Sequence, residues 1–314
     1  MKRWLCLVMV LLSIHLIPGT GIAAERLTLM LDWFPNVDHL PIYLAQQQGD
    51  FANKGLDIRI ISPSDAADAL KLAASGHVDM AVSYEPQAII AASEGLQIRV
   101  VGRLIEHPLT TLLFLADRDI KFPKDLVGKR IGYTVPGLMD VLMKAFAKLN
   151  GIHEYTEVNV GFTIAQSLTA GKVDAIMGPF KTYETVVLAH LGYKAEYFEL
   201  EKWGIPDYDE LVFVCGTAVA ARKHAALKSF VETVQNGIDT ARKDPEKALE
   251  VYLKAVPEAD RRTETEAFQL TLPYYASHQH LSRERWQQFA DFAIRHGLIE
   301  RPVNVDHLLL QTAE

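Results

Sequence analysis

The sequence predicts an α/β protein of two lobes, each a mostly parallel sheet flanked by helices. Three observations carry that expectation. Short apolar runs of strand length alternate with helical segments from residue 27 to residue 215, and strands joined by helical crossovers lie parallel. The alternation falls into two series, and a phrase of the form Gly-x-Val-Asp stands in each, at 76–79 and 171–174. The length, 314 residues, suits one large domain or two of about 100–200 residues apiece.

Residues 1–24 open with Lys2 and Arg3, continue through an apolar core at 4–17 and end in small residues, the pattern of a secretory leader. That core is shorter than the roughly 20 residues a spanning helix needs. Cys6 lies inside it and not just after it, which argues against a lipoprotein anchor. Loss of the leader would remove Lys2 and Arg3 and no acid, leaving 30 basic residues against 39 acidic ones and a formal charge of −9. An acidic exported chain suits neither nucleic acid nor an anionic membrane surface. Only Cys215 would remain of the two cysteines, so an intrachain disulfide and a cysteine-rich metal site are both excluded.

Residues 27–31 form the first strand, and Pro41 opens a helix in its first turn, where a missing N–H costs nothing. Leu56, Ile58 and Ile60 share one face of a second strand, 66–74 is helical, and 78–82 is an almost continuous apolar strand. A helix at 87–93 and strands at 98–104 and 111–115 follow, with the passage between lobes near His107 and Pro108. The second series runs strand 130–133, helix 138–149, strand 158–160, helix 164–169, strand 173–177, helix 181–190 and strand 194–198. A strand at 211–215 returns the chain to the first lobe. From 221 onward apolar residues at helical spacing, among them Phe230, Val234 and Ile238, make the chain helical. Scaffolding is the role expected there. Lobe 1 thus takes 25–110 and 213–314 and lobe 2 takes 111–212, with hinge segments near 109–115 and 210–214.

Between the first strand and Pro41 stand Trp33, Asn36, Asp38 and His39. Strand ends in open α/β sheets face the ligand crevice, so these four are candidate binding residues. A core anchor for Trp33 and an N-cap for Asp38 are the plainer readings. The loops after the two Gly-x-Val-Asp phrases contribute Tyr84 and Glu85 on one side and Tyr183 and Glu184 on the other. Both loops are expected on one cleft, opposite the Trp33 loop. The turn GYTVPG at 132–137 adds Tyr133, and its backbone N–H groups could face an anion, although Pro136 removes one donor.

Catalytic and metal signatures do not appear: no HExxH, no GxSxG elbow, no nucleotide P-loop and no GxGxxG after a strand. His278 and His280 lie close together without the further ligands zinc needs. Cys215 sits among strand residues and reads as buried and inert.

The run LDWFPNVDHLPIYLAQQQGDFANKGLDI at 31–58 resembles the opening signature of the thiamine-pyrimidine-precursor-binding family of periplasmic proteins, relatives of the fungal thiamine pyrimidine synthases. GHVDMAVSYEP at 76–86, GKRIGYTVPG at 128–137 and GKVDAIMGPFKTYE at 171–184 fall in that family's order. The resemblance implies the two-lobed periplasmic binding protein fold of type II, a small heteroaromatic ligand between the lobes, an ABC transporter permease as partner, a periplasmic location, a monomer and no cofactor. It implies that Glu184 pairs with an aminopyrimidine, with Asp38 as the second candidate. A flavin, an organic anion or pyrimidine-synthase chemistry are the alternatives. The enzyme branch carries a lysine in the loop after VDM and a cysteine cluster in the returning strand. Here that loop reads Ala81, Val82, Ser83, Tyr84, Glu85, and the strand has only Cys215.

Overall fold

The structure, a computed structural model, describes residues 24–312. All of the expected leader except Ala24 lies outside the described residues. The first five-stranded sheet combines β1 (Glu25–Met30), β2 (Leu56–Ile61), β3 (Met80–Ser83), β4 (Ile98–Ile105) and β10 (Leu211–Gly216) in the order β2-β1-β3-β10-β4. The second is built from β5 (Thr110–Leu115), β6 (Arg130–Tyr133), β7 (Thr156–Asn159), β8 (Ala175–Phe180) and β9 (Ala195–Glu199), ordered β7-β6-β8-β5-β9. In each sheet one strand alone runs against its neighbours, β10 in the first and β5 in the second. Both are the strands by which the chain arrives from the other sheet, so arrival from the cleft side fixes their reversed sense.

The helices follow the sequence expectations with small shifts at their ends. On the first sheet lie α1 (Leu40–Gln47), α2 (Asp50–Asn53), α3 (Asp68–Ala74) and α4 (Glu85–Ser93). The second carries α5 (Met139–Leu149), α6 (Ile164–Thr169) and α7 (Glu184–His190). After β10 come α8 (Thr217–Arg222), α9 (His224–Lys243), α10 (Pro245–Ala255), α11 (Arg261–Thr271), α12 (Arg283–His296) and α13 (Val305–Leu308). α9 buries Leu227, Phe230, Val231, Val234 and Ile238 as a single stripe, which packs on α1 and steadies the helix that follows the Trp33 loop. Every residue of β10 is buried, as a strand covered on both faces requires.

The repeated Gly-x-Val-Asp phrase has a common structural role. Gly76 and Gly171 end α3 and α6 in the left-handed region, with φ of 76° and 64°. Val78 and Val173 are buried. Asp79 then accepts the Thr28 N–H (2.9 Å) and Asp174 the Arg130 N–H (2.9 Å), tying each phrase to the strand beside it.

The chain crosses between sheets at 106–109, around the His107–Pro108 passage expected from sequence, and again at 200–210. The residues expected as hinges, 109–115 and 210–214, are for the most part β5 and β10, central strands in their sheets. A continuous apolar run reads the same in a crossover as in a central strand, which explains the displacement.

Candidate functional site

Four strand ends meet at one cleft, two from each lobe. From the first come Asp32, Trp33, Asn36 and Asp38 beyond β1, and Tyr84 beyond β3. From the second come Thr134 beyond β6, Gly178 and Phe180 on β8, Tyr183 and Glu184 at the start of α7, and Ile164 of α6. The space between these walls is about 360 Å³, its open side included.

The Trp33 loop is held by its own polar groups. The Asn36 side chain accepts the Asp38 N–H (2.9 Å) and caps the turn Val37–His39. Asp32 is buried, with the Tyr84 hydroxyl donating to it at 2.8 Å and the His39 ring at 2.9 Å. Asp38 is buried as well; its Oδ1 accepts from Thr271 (3.2 Å), and its Oδ2 has no hydrogen-bond partner among the described residues. Burial pushes the Asp38 carboxyl up to about 7; His39 opposes the rise, and the nearby Glu184 and Asp32 carboxylates reinforce it.

On the facing wall, Glu184 accepts the Phe180 N–H through Oε2 (2.6 Å), and burial pushes its carboxyl up to about 7. One of its oxygens is thus already held by the protein, which leaves one for a ligand and not the pair expected. Gly178 has φ 123°, and a Cβ there would lie 2.0 Å from Thr134 Oγ1. Only glycine lets β8 and the end of β6 come together at the floor of the cleft. At the mouth, Phe162 of the second lobe meets Trp33 edge to face, with centroids 4.4 Å apart, and Phe34 at 4.5 Å.

The structure brings Trp33, Asn36, Asp38, Tyr84, Tyr183 and Glu184 to the cleft wall. Three other candidates stand off it. His39 backs the loop through Asp32. Glu85 turns to the crossover, where it accepts the Asp209 N–H (2.7 Å); burial beside Asp209 holds its carboxyl well above the usual range. Tyr133 ends β6, and the next residue, Thr134, takes the wall position, since successive side chains on a strand point to opposite faces. The Tyr84 loop lies beside the Trp33 loop in the same lobe, so only the Tyr183 loop is opposite. In the GYTVPG turn, the Gly137 N–H already donates to Asp140 (2.7 Å), which occupies a donor an anion would need.

Sequence reasoning missed Asp32, Thr134, Ile164, Gly178, Phe180 and Glu264. Asp32 stands directly before Trp33, and its place in that loop was a usable signal. Glu264 carried none: it lies in the helical region read as scaffold, yet it accepts the Val37 N–H (2.9 Å) and the Tyr183 hydroxyl (2.8 Å). No group of His, Cys, Asp and Glu suited to a metal occurs among the described residues. Cys215 is buried in β10, and burial pushes its thiol up to about 12.

Two sheets with this strand order and a cleft lined from both define a two-lobed periplasmic binding protein fold. The structure of the alkanesulfonate-binding protein SsuA from Xanthomonas axonopodis pv. citri bound to MOPS shares it, with a TM-score of 0.73 and 18% identity over 92% of this chain and 100% of that one. The chain belongs to the NMT1/THI5 like family, whose model matches residues 36–248. It is 32% identical to the formylaminopyrimidine-binding protein of Halalkalibacterium halodurans over 90% of this chain and 88% of the relative. It is 25% identical to a 4-amino-5-hydroxymethyl-2-methylpyrimidine phosphate synthase of Saccharomyces cerevisiae, over 88% of this chain and 85% of the relative.

Proposed function

We propose that the protein is the periplasmic solute-binding component of an ABC importer, a monomer that carries a thiamine pyrimidine precursor between its lobes and performs no chemistry on it. The observation that carries the reading is Asp38 Oδ2, a buried carboxylate oxygen at the cleft wall with no hydrogen-bond partner among the described residues. A buried acceptor left unpaired is costly, so the site asks for a donor from the ligand. An exocyclic amine beside a protonatable ring nitrogen supplies such donors to Asp38 and to the remaining oxygen of Glu184. Trp33 offers the ring a surface on which to stack.

Charge narrows the class. The wall contains Asp32, Asp38 and Glu184, and neither lysine, arginine nor histidine is among its residues. An acidic wall disfavours a phosphate or sulfonate, so the likeness to a sulfonate-binding fold does not extend to the ligand. The same balance speaks against a phosphorylated product of the kind named for the yeast relative. The wall also holds no cysteine and no lysine to form a covalent bond with an aldehyde-bearing co-substrate.

Native mass spectrometry of protein purified from the periplasm tests this reading. The expected spectrum shows a chain shortened by roughly two dozen residues, carrying a dissociable small heterocycle. A pyridoxal-derived adduct on a lysine would transfer the chain to the enzyme reading, and a full-length cytoplasmic chain would remove the transport role.

A further inference from the structure

Glu264 joins the two walls of the cleft although it lies outside both. Its Oε2 accepts the Val37 N–H (2.9 Å), within the first-lobe loop that carries Asp38. Its Oε1 accepts the hydroxyl of Tyr183 (2.8 Å), the second-lobe wall residue next to Glu184. The helix that bears it, α11, holds the same loop again through Thr271, which donates to Asp38, and touches α7 again through Thr263, whose hydroxyl lies 3.1 Å from the His190 ring. Glu264 is nearly fully buried, so its carboxylate is shielded from water that would otherwise compete for both donors.

We propose that Glu264 is a positioning residue that latches the second lobe: Tyr183 is captured by a carboxylate already fixed to the Asp38 loop, so cleft closure and the alignment of the two acidic walls are one event. A contact made only when the lobes meet favours the closed state by its full strength, while the Val37 contact, internal to the first lobe, is indifferent to closure. Release of the ligand then requires the Tyr183–Glu264 bond to break, along with the His190–Glu266 contact (3.0 Å) between α7 and α11. The latch deepens the ligand-binding reading and rests on the cleft being the binding site.

The test uses the whole mature protein with spin labels on Lys71→Cys and Lys148→Cys, exposed positions on α3 and α5; Cys215 is buried and stays unlabelled. Interlobe distances are measured by pulsed electron resonance with and without 4-amino-2-methylpyrimidine, and dissociation rates by stopped flow. Glu264→Gln and Tyr183→Phe should each shift the distances toward a longer, open population and speed dissociation roughly tenfold, as expected for loss of one charge-assisted bond. The double variant should be no more open than the more open single variant, because both substitutions remove one bond. Thr271→Val, which loosens the same loop without touching the second lobe, should leave the distances unchanged. Unchanged distances in Glu264→Gln, additive effects in the double variant, or equal opening in Thr271→Val would each overturn the latch. The distance measurement without added pyrimidine needs no ligand, so a wild-type protein that ignores the pyrimidine yet opens on Glu264→Gln would overturn the ligand assignment and support the latch.

Discussion

The carboxylate of Glu210 grips Thr110 twice, accepting its backbone N–H and its hydroxyl, each at 2.7 Å, and takes the Leu109 N–H at 2.6 Å as well. Glu210 ends one crossover and Thr110 follows the other, so a single buried side chain sews together the two passages between lobes. Glu210→Ala would take the acceptor from four buried donors, these three and the Tyr208 hydroxyl (3.4 Å), at about 1–3 kcal/mol for each donor that finds no substitute. The expected loss, after relaxation, is about 3 kcal/mol in urea denaturation. A loss under about 0.5 kcal/mol would show that water takes over the donors and that the crossovers are not fixed this way.

Beside it, Asp209 is met by Arg103 (3.0 Å), Arg285 (3.0 Å) and the Trp286 indole N–H (2.9 Å). Arg103 is almost wholly buried, so Asp209→Ala leaves its guanidinium with Glu106 (2.9 Å) as its remaining ionic partner and the Trp286 N–H without its acceptor. Breaking such a pair typically costs about 3–5 kcal/mol. Arg103→Met together with Asp209→Leu should recover part of that loss in the same denaturation experiment; no recovery would mean that the network contributes through packing and not through its charges.

Stability should fall as pH rises through the range in which the buried carboxyls ionise. Asp38, Glu184, Glu210 and Glu264 are each held up to about 7 by burial, so between roughly pH 4.5 and 7 the folded state binds more protons than the unfolded one. That contribution is fully present below the unfolded values and is lost as pH passes the folded ones. His107, raised by its bond to Asp207, acts in the same sense. Calorimetric melting of the unliganded protein should give a higher Tm at pH 5.5 than at 7.5, and Asp38→Asn should shrink the difference. A Tm that rises over this interval contradicts the picture of uncompensated acids in the cleft.

Much of this architecture was legible because it repeats. Two βα series and two Gly-x-Val-Asp phrases announced two sheets of one plan, and strand 130–133 and helix 164–169 fall where apolar periodicity put them. The wall residues Trp33, Asn36 and Asp38 were readable because polar and aromatic groups crowd a loop at a strand's end. Glu85 misled because it sits in such a loop but opens α4 with its side chain toward Asp209. Tyr133 misled by a single step of strand alternation. Glu264 was invisible since its role depends on a contact with Val37, 227 positions away, which no local pattern encodes.

The hydroxyl of Tyr84 offers a narrower check on the first-lobe wall. It donates to Asp32 at 2.8 Å, and Asp32 in turn meets His39 at 2.9 Å, so the three hold the loop in place without needing the second lobe. Tyr84→Phe should weaken ligand binding by about 1 kcal/mol through loss of that one bond, with the ring's packing retained. Titration of the variant checks it, and undiminished affinity would show that the Asp32–His39 pair alone positions the loop.

The central claim is that a neutral or protonated aminopyrimidine binds between Trp33, Asp38 and Glu184, and isothermal titration tests it most directly. 4-Amino-2-methylpyrimidine and a phosphate ester of its hydroxymethyl derivative are titrated into wild type, Trp33→Ala, Asp38→Asn and Glu184→Gln. The account predicts that wild type binds the unphosphorylated ring and rejects the ester, and that each substitution costs about 1–3 kcal/mol, the usual loss for a buried stacked or hydrogen-bonded partner. Tighter binding of the ester, or three variants that bind the ring as tightly as wild type, would contradict it.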